Sequence, residues 1–493
     1  MEELKLIKSL AKDSAGYFMG MAGNRLLRLG LFVFLARALG VNDFGLFTIS
    51  YAILNITGTF CLFGMDNGYQ RYIPVYLSKR EYGKARGFLL TGLTVPFMLT
   101  ALAVLAIFLF PHHLIMGWFK EKDLFQYLKY ILIAAPFYYL CESILSATQS
   151  RRLFMSNGAI KSLRYSLILL CAGIVYLAGF RGSYILLSFL AGSVLTLMVS
   201  SRFLPLLFKN ISGIKAQFEF KKWFVFLAPT VLTGSFYMLV SAVDRVFLGA
   251  MRTAEEAGIY DAAARLALQS AFITGAFTQA FLPTMSDLFH SGRMEPLQYL
   301  YKKVSLWGLN LQLLILLFVA QFASQIMRIF GRDFQHGAII LVVLAFSQIV
   351  KAVAGPTGYL LRLSNRQNQE MIIVVVMGAI NIIMNFLLIP RYGPVGAAIS
   401  ASVVIAGIPA VLAFVIYRQD RILGAGIAAW KPAVAAFSTF IIIFYIKKLS
   451  LIAGAVVLPF FYLFMLFRLG LDEGDLAIIN SIVKRIARLN PAT

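Results

Sequence analysis

Apolar residues run along this chain in long blocks rather than in alternation. Fourteen of these blocks predict membrane-crossing helices, at 14–39, 44–66, 87–110, 125–147, 158–179, 184–205, 223–249, 257–282, 304–325, 336–361, 370–389, 394–417, 430–446 and 450–468. A helix crosses hydrocarbon in ~20 residues, so the longer blocks predict tilt or kinks. Short runs of period-two alternation, the mark of a membrane β-barrel, are absent. The pattern predicts an all-α polytopic membrane protein. A second pattern lies over the first. Shifting the chain by 213 residues lays Val41-Asn42-Asp43-Phe44-Gly45-Leu46-Phe47 over Ala254-Glu255-Glu256-Ala257-Gly258-Ile259-Tyr260. In both places a long span precedes the turn, and a proline-containing exit follows the next helix (Tyr72-Ile73-Pro74, then Phe281-Leu282-Pro283). Each half then holds six helices starting on the same side, a parallel repeat about an axis normal to the membrane. The expected parts are an N-terminal lobe over 1–222, a C-terminal lobe over 223–420, two added helices within 421–468, and a tail over 469–493. In the tail, Leu476, Ile479, Ile482, Val483, Ile486 and Leu489 share one helical face and Lys484, Arg485 and Arg488 the other, as in a helix lying on a membrane surface.

Polar residues that interrupt the apolar blocks are the candidate site. Arg25 and Arg28 fall near the middle of the first span, on the face opposite Gly16, Gly20, Gly23 and Gly30. The glycine face is expected to admit a close neighbour, and the arginine face to look into a polar interior. There the arginines either pair with buried carboxylates or line a substrate path. Asp66 lies in a polar cluster closing the second span, within reach of Arg71 along the chain; Glu142 lies toward the end of the fourth. In the second half, Asp244-Arg245 closes the seventh span, and Asp261, Arg265 and Gln269 form a stripe at i, i+4 and i+8 on the eighth, where Asp261 and Arg265 suit a helical pair. Lys351 stands near mid-depth of the tenth span beside Gln348, just before a Gly355-Pro356 break suited to a hinge or a bent cavity wall. Asn381 and Asn385, one turn apart on the eleventh, suit helix–helix hydrogen bonds. Asn24, Arg245, Gln269, Gln348 and Asn381 form the expected secondary polar lining.

Charge changes the picture once it is sorted by side of the membrane. Of 45 Lys and Arg, 29 fall in the N-terminal lead, the even-numbered loops and the tail, 10 on the opposite side, and six inside spans. That asymmetry places both termini in the cytoplasm. The net charge of +23 is then mostly topological, and a nucleic-acid partner is rejected. Cys61, Cys141 and Cys171 sit in apolar spans without metal spacing, and His112, His113, His290 and His336 are scattered over loops, so no metal site is expected. The first span is too long, and too rich in arginine, for a cleaved signal peptide. No nucleophile triad, metal-ligand motif or phosphate loop is present, which argues against an enzyme.

Two stretches resemble a known family. The run from Ala36-Arg37-Ala38-Leu39-Gly40 through Phe47 resembles the first-turn signature of the polysaccharide-transport (Wzx-type) flippases, within the multidrug/oligosaccharidyl-lipid/polysaccharide exporter superfamily. Asn385-Phe386-Leu387-Leu388-Ile389-Pro390-Arg391-Tyr392-Gly393-Pro394-Val395-Gly396-Ala397-Ala398 is similar to the turn between its eleventh and twelfth helices, and Val243-Asp244-Arg245 with Ala257-Gly258-Ile259-Tyr260 to its second-half motif. The likeness covers residues 10–420. It implies a two-lobed bundle in the cell membrane that moves a polyprenyl-diphosphate-linked oligosaccharide to the outer leaflet by alternating access. Its lipid-linked substrate and the surrounding lipids are the implied partners, with a polysaccharide polymerase downstream and the chain itself a monomer. It also implies a cationic cavity for the diphosphate, for which Arg25, Arg28, Arg265 and Lys351 are the fitting residues here. Asp66, Glu142, Asp244 and Asp261 remain for charge balance or for a coupling H+ or Na+. A murein-precursor flippase would need the same cationic cavity. A multidrug or cation antiporter on this fold would favour acidic and aromatic lining instead.

Overall fold

A computed structural model describes residues 22–109, 117, 119, 121–151, 154–279, 281–364, 366–445 and 451–469. The expected surface helix of the tail, the basic lead before the first span, and Gly16 and Gly20 lie outside the described residues. Among those described, every regular element is helical and no strand occurs. Among the described residues eight helices are long and apolar enough to cross a membrane, nine if a pair bent by 42° is counted as one span, and two shorter apolar helices follow near the end.

The chain forms two compact units. The first comprises residues 1–265, 327–340 and 374–404. Its elements are α1 (22–39), α2 (Val41–Leu62), α3 (Met65–Ser78), α4 (Tyr82–Leu109), α5 (Leu124–Ile133), α6 (Ala135–Ser150), α7 (Phe154–Leu177), α8 (Leu187–Ser201), the single turn α9 (Leu204–Leu207), α10 (Phe220–Met251) and the first half of α11 (Ala254–Gln279). Phe63 and Gly64, both left-handed, break the second span and turn the chain into α3. The polar cluster from Asp66 to Arg71 and Pro74 are therefore helical, rather than part of an exit loop. The bent pair is α5 and α6, with Pro136 in the first turn of α6, where a missing N–H costs nothing.

Glycine does pack these helices closely, but not at Gly23 or Gly30, the two first-span glycines among the described residues. A side chain on Gly30 would meet nothing within 4 Å, and one on Gly23 would make only ordinary contact with Ser162. Two of the tight notches are Gly58, filled by the Tyr139 ring, and Gly92, filled by Tyr69. The hydroxyls of these rings then satisfy buried partners: Tyr139 donates to the Leu54 carbonyl at 3.0 Å, and Tyr69 shares a 2.9 Å bond with Ser143. Removing a ring would leave both a cavity and an unmet polar group.

Helix α10 opens the second half of the sequence repeat, yet it packs along α2 and α3. Trp223 and Leu227 join Tyr69, Tyr72, Tyr76 and Phe88 in one buried cluster, and Ile49 presses against Gly249. Its start is clamped by Glu219, which accepts from Tyr76 at 2.8 Å, Lys84 at 3.0 Å and Lys222 at 3.1 Å. Desolvation pushes that carboxyl up, but the hydrogen bonds from Tyr76, Lys84 and Lys222 outweigh it and hold the group down at about 2.

The second unit comprises residues 266–326, 341–373 and 405–493. It holds the rest of α11, α12 (Leu282–His290), α13 (Met294–Met327), most of α14 (Ala338–Ala354), α15 (Thr357–Leu363), both ends of α16 (Gln367–Asp420), α17 (Trp430–Tyr445) and α18 (Leu451–Arg468). The Gly355-Pro356 break separates α14 from α15, with Gly355 at φ 79°. The two added helices α17 and α18 bury Ala435, Ala436, Leu458 and Tyr462 against Leu309, Leu313 and Phe322 of α13. Helix α16 joins the predicted eleventh and twelfth spans through a single non-helical residue, Gly393 (φ 55°, ψ −135°).

Candidate functional site

Four helices of the first unit each contribute two polar or aromatic residues one turn apart to the same cavity. They are Asn24 and Arg28 on α1, Tyr51 and Asn55 on α2, Tyr138 and Glu142 on α6, and Lys161 and Tyr165 on α7, where Arg164 joins them. Spacing of i, i+4 puts each pair on one face. The cavity they enclose is about 180 Å³.

Its electrostatics are unbalanced. Arg164 is 1% exposed and donates to Glu142 at 2.5 Å, with the Tyr138 ring 4.5 Å from its guanidinium carbon. Among the described residues Arg28 pairs with no carboxylate. Among the described residues its guanidinium faces the rings of Phe32, Tyr51 and Tyr165, at 5.9–6.0 Å. Lys161 adds a third cation, so three cations and one carboxylate line the cavity, an excess of two within the lining itself, while Asp66 and Asp261 act on Lys161 and Arg28 from outside it. The Nε of Arg28, the Nε of Arg164 and the Oδ1 of Asn24 are buried without a hydrogen-bond partner. Buried polar atoms are almost always satisfied, and each such exception asks for an explanation, of which a water or a bound ion is one. Two N–H donors in excess positive charge suit an anion, since guanidinium hydrogen bonds to oxyanions are charge-assisted and directional.

A second buried charge cluster lies next to the first and is balanced. Asp261, fully buried, accepts from Arg245 at 2.5 Å and also from Arg265. The neighbouring Asp244 accepts from the Tyr260 hydroxyl at 2.5 Å and the Asn385 amide at 2.6 Å. Two arginines thus stand beside two carboxylates. The clusters meet at two rings: the Arg265 guanidinium lies 3.3 Å from the centre of Phe32 and 5.6 Å from Tyr51, the rings that also flank Arg28.

A family model described as polysaccharide biosynthesis protein matches residues 10–289, more than half of the chain. The chain belongs to that family. This polysaccharide biosynthesis protein is 24% identical over 401 residues to the "Probable low-salt glycan biosynthesis flippase Agl15" of Haloferax volcanii, covering 80% of each chain. Its fold is that of the lipid II flippase MurJ in an inward closed conformation, with TM-score 0.72, 14% identity, and coverage of 91% of this chain and 97% of that one. An inward-facing multidrug resistance MATE family transporter of the MOP superfamily matches at TM-score 0.67 and 13% identity, over 81% and 94%. With eight or more apolar helices of span length among its described residues, the family member is a multi-pass membrane protein.

The residues expected from sequence divide in this family member. Asn24, Arg28 and Glu142 line the cavity; Arg25 is half-buried and is not among the described lining residues. Asp244, Arg245, Asp261 and Arg265 form the balanced cluster, and Asn381 bonds Ser400 at 3.0 Å within α16. Asp66 is exposed on α3 and does not pair with Arg71, whose guanidinium stacks 4.0 Å over Phe226. Gln269, Gln348 and Lys351 belong to the second unit, where Gln348 is buried and Lys351 exposed. The main correction concerns Lys161 and Arg164. Both read as loop charges by side-of-membrane counting, yet helix α7 carries them into the cavity. Tyr51, Asn55, Tyr138 and Tyr165 carried no warning singly. The usable signal was four apolar spans each holding a polar or aromatic pair at i, i+4.

Proposed function

We propose that this transporter flips a polyprenyl-diphosphate-linked oligosaccharide from the cytoplasmic to the outer leaflet of the cell membrane by alternating access. The observation that carries this reading is the surplus of two positive charges in the α1–α2–α6–α7 cavity, with guanidinium N–H groups left unpartnered. A diphosphate headgroup cannot cross hydrocarbon unaided. In a low-dielectric cavity Arg28 and Arg164 bind its oxygens more strongly than water-exposed groups would. The tyrosines and asparagines suit sugar hydroxyls, while the polyprenyl tail stays in lipid. The family and the glycan-flippase relative support a sugar-lipid cargo. The excess of cations disfavours a cationic-drug exporter. A murein precursor, the cargo named for the MurJ relative, shares the diphosphate and is the second reading. The chain works as a monomer with both termini cytoplasmic and delivers its cargo to a polymerase.

A coupling cation, H+ or Na+, fits best at Asp244. Its carboxylate is buried beside the Oδ1 of Asn385, which has no partner. Glu142 and Asp261 serve charge balance, each held by arginine.

The test is depletion of the chain in its native cells, followed by leaflet-specific probing of lipid-linked oligosaccharide. Accumulation on the cytoplasmic leaflet is expected. Normal turnover of those lipids alongside reduced drug efflux would overturn the proposal in favour of the exporter.

A further inference from the structure

The two turns matched by the 213-residue shift meet each other in space, and the meeting is reciprocal. A side chain on Gly45 would run into the backbone carbonyl of Ala254. One on Gly258 would sit 2.8 Å from the Val41 carbonyl oxygen and 3.0 Å from the Gly45 nitrogen. Gly45 corresponds to Gly258 and Val41 to Ala254 under the shift, so each glycine rests on the residue equivalent to the one that holds the other. That is the relation of a two-fold self-complementary contact, residue i on j and j on i. We infer that Gly45 and Gly258 form a backbone-to-backbone seal on the repeat axis, closing the outward end of the transport path in this conformation.

The surroundings suit a contact that must also open. The first turns of α2 and α11 approach each other, and their like helix dipoles repel; Asp43 on one and Glu255 and Glu256 on the other offset that repulsion. Glu121, from the segment before α5, accepts from the Ala254 N–H at 3.1 Å and caps α11. Beside the glycines, Phe44 packs on Phe334 and Phe330, with centroids 5.6 and 6.2 Å away. No ion pair joins the two glycine turns among the described residues, so parting them strands no buried charge. The seal belongs to the alternating-access transporter proposed above, but whether it closes the path can be read without knowing the cargo.

The test is thiol labelling. In a chain with Cys61, Cys141 and Cys171 replaced by Ser, Asn55→Cys reports on the cavity, and a membrane-impermeant maleimide is applied to the outside of intact cells. Overpacking at the seal is expected to raise the labelling rate roughly tenfold in Gly45→Ala and several-fold in Gly258→Ala. Gly30→Ala and Gly173→Ala, whose new methyls meet nothing within 4 Å, keep the parent rate. If Gly45→Ala is lost from the membrane, Gly258→Ala and Glu121→Gln carry the test, because their contacts are milder. Unchanged labelling in the well-expressed seal variants would overturn the inference, and so would an equal rise in the two controls. Normal oligosaccharide turnover in depleted cells would instead strike the transport reading and leave the seal standing.

Discussion

Two buried clusters of arginine lie within one compact unit and share the rings of Phe32 and Tyr51, yet they differ in one respect. Around Asp261 the charges cancel: Arg245 and Arg265 stand beside Asp244 and Asp261, and each carboxylate has its hydrogen-bond donors. Around Arg28 they do not: Glu142 answers Arg164, and Arg28 and Lys161 are left over. Moving a charge out of water is costly, and a balanced group recovers that cost within the protein. An unbalanced one recovers it from something that arrives. The difference sorts arginines that hold the bundle from arginines that wait for an anion.

Breaking the balanced cluster is expected to have the largest effect on stability. Asp261→Asn leaves two buried guanidiniums without their shared carboxylate and should cost about 3–5 kcal/mol. Loss of membrane-inserted protein, or a sharp fall in unfolding temperature in detergent, is the readout. Arg164→Ala comes next. It strands Glu142 in the cavity, so abundance and transport should fall together, and the double variant Arg164→Ala/Glu142→Ala should recover abundance but not transport. The recovery is what separates a paired arginine from a free one.

A smaller effect sharpens the contrast at a charge that is paired and near water. Tyr76→Phe removes one of three donors to Glu219 and should cost about 1 kcal/mol, read as a modest drop in unfolding temperature. The folded-state value of Glu219, about 2, lies below the ~4.3 of a free glutamate. Its contribution is therefore full above the free value and is lost as pH falls from there toward about 2. The stability difference between Tyr76→Phe and the parent should stay constant from pH 8 to pH 5 and shrink only in stronger acid.

Much of the architecture was legible because hydrocarbon leaves a chain few options. Apolar blocks of span length and the all-helical fold they require follow from elementary constraints. The Asp261–Arg265 pair was legible for the same reason, being an i, i+4 relation on one helix. Arg164 was not. Counting Lys and Arg by side treats charges near a span's end as loop charges, and only the Glu142 contact reveals that α7 carries this one inside. Gly23 and Gly30 of the first span misled for a related reason. A face free of side chains permits close approach but does not cause it, and the partners that fill glycine notches here, Tyr139 and Tyr69, come from distant positions. Gly45 and Gly258 appeared as a repeated motif, while their mutual contact required the fold.

The account rests most directly on Arg28, and one paired measurement decides it: membrane abundance and outer-leaflet delivery of lipid-linked oligosaccharide in Arg28→Gln. Because this arginine answers no carboxylate among the described residues, its neutral replacement is predicted to leave abundance and unfolding temperature close to the parent while delivery falls at least ~10-fold, the loss of one charge-assisted anion contact. Delivery at the parent rate, or a loss of delivery that merely follows a loss of folded protein, would contradict it.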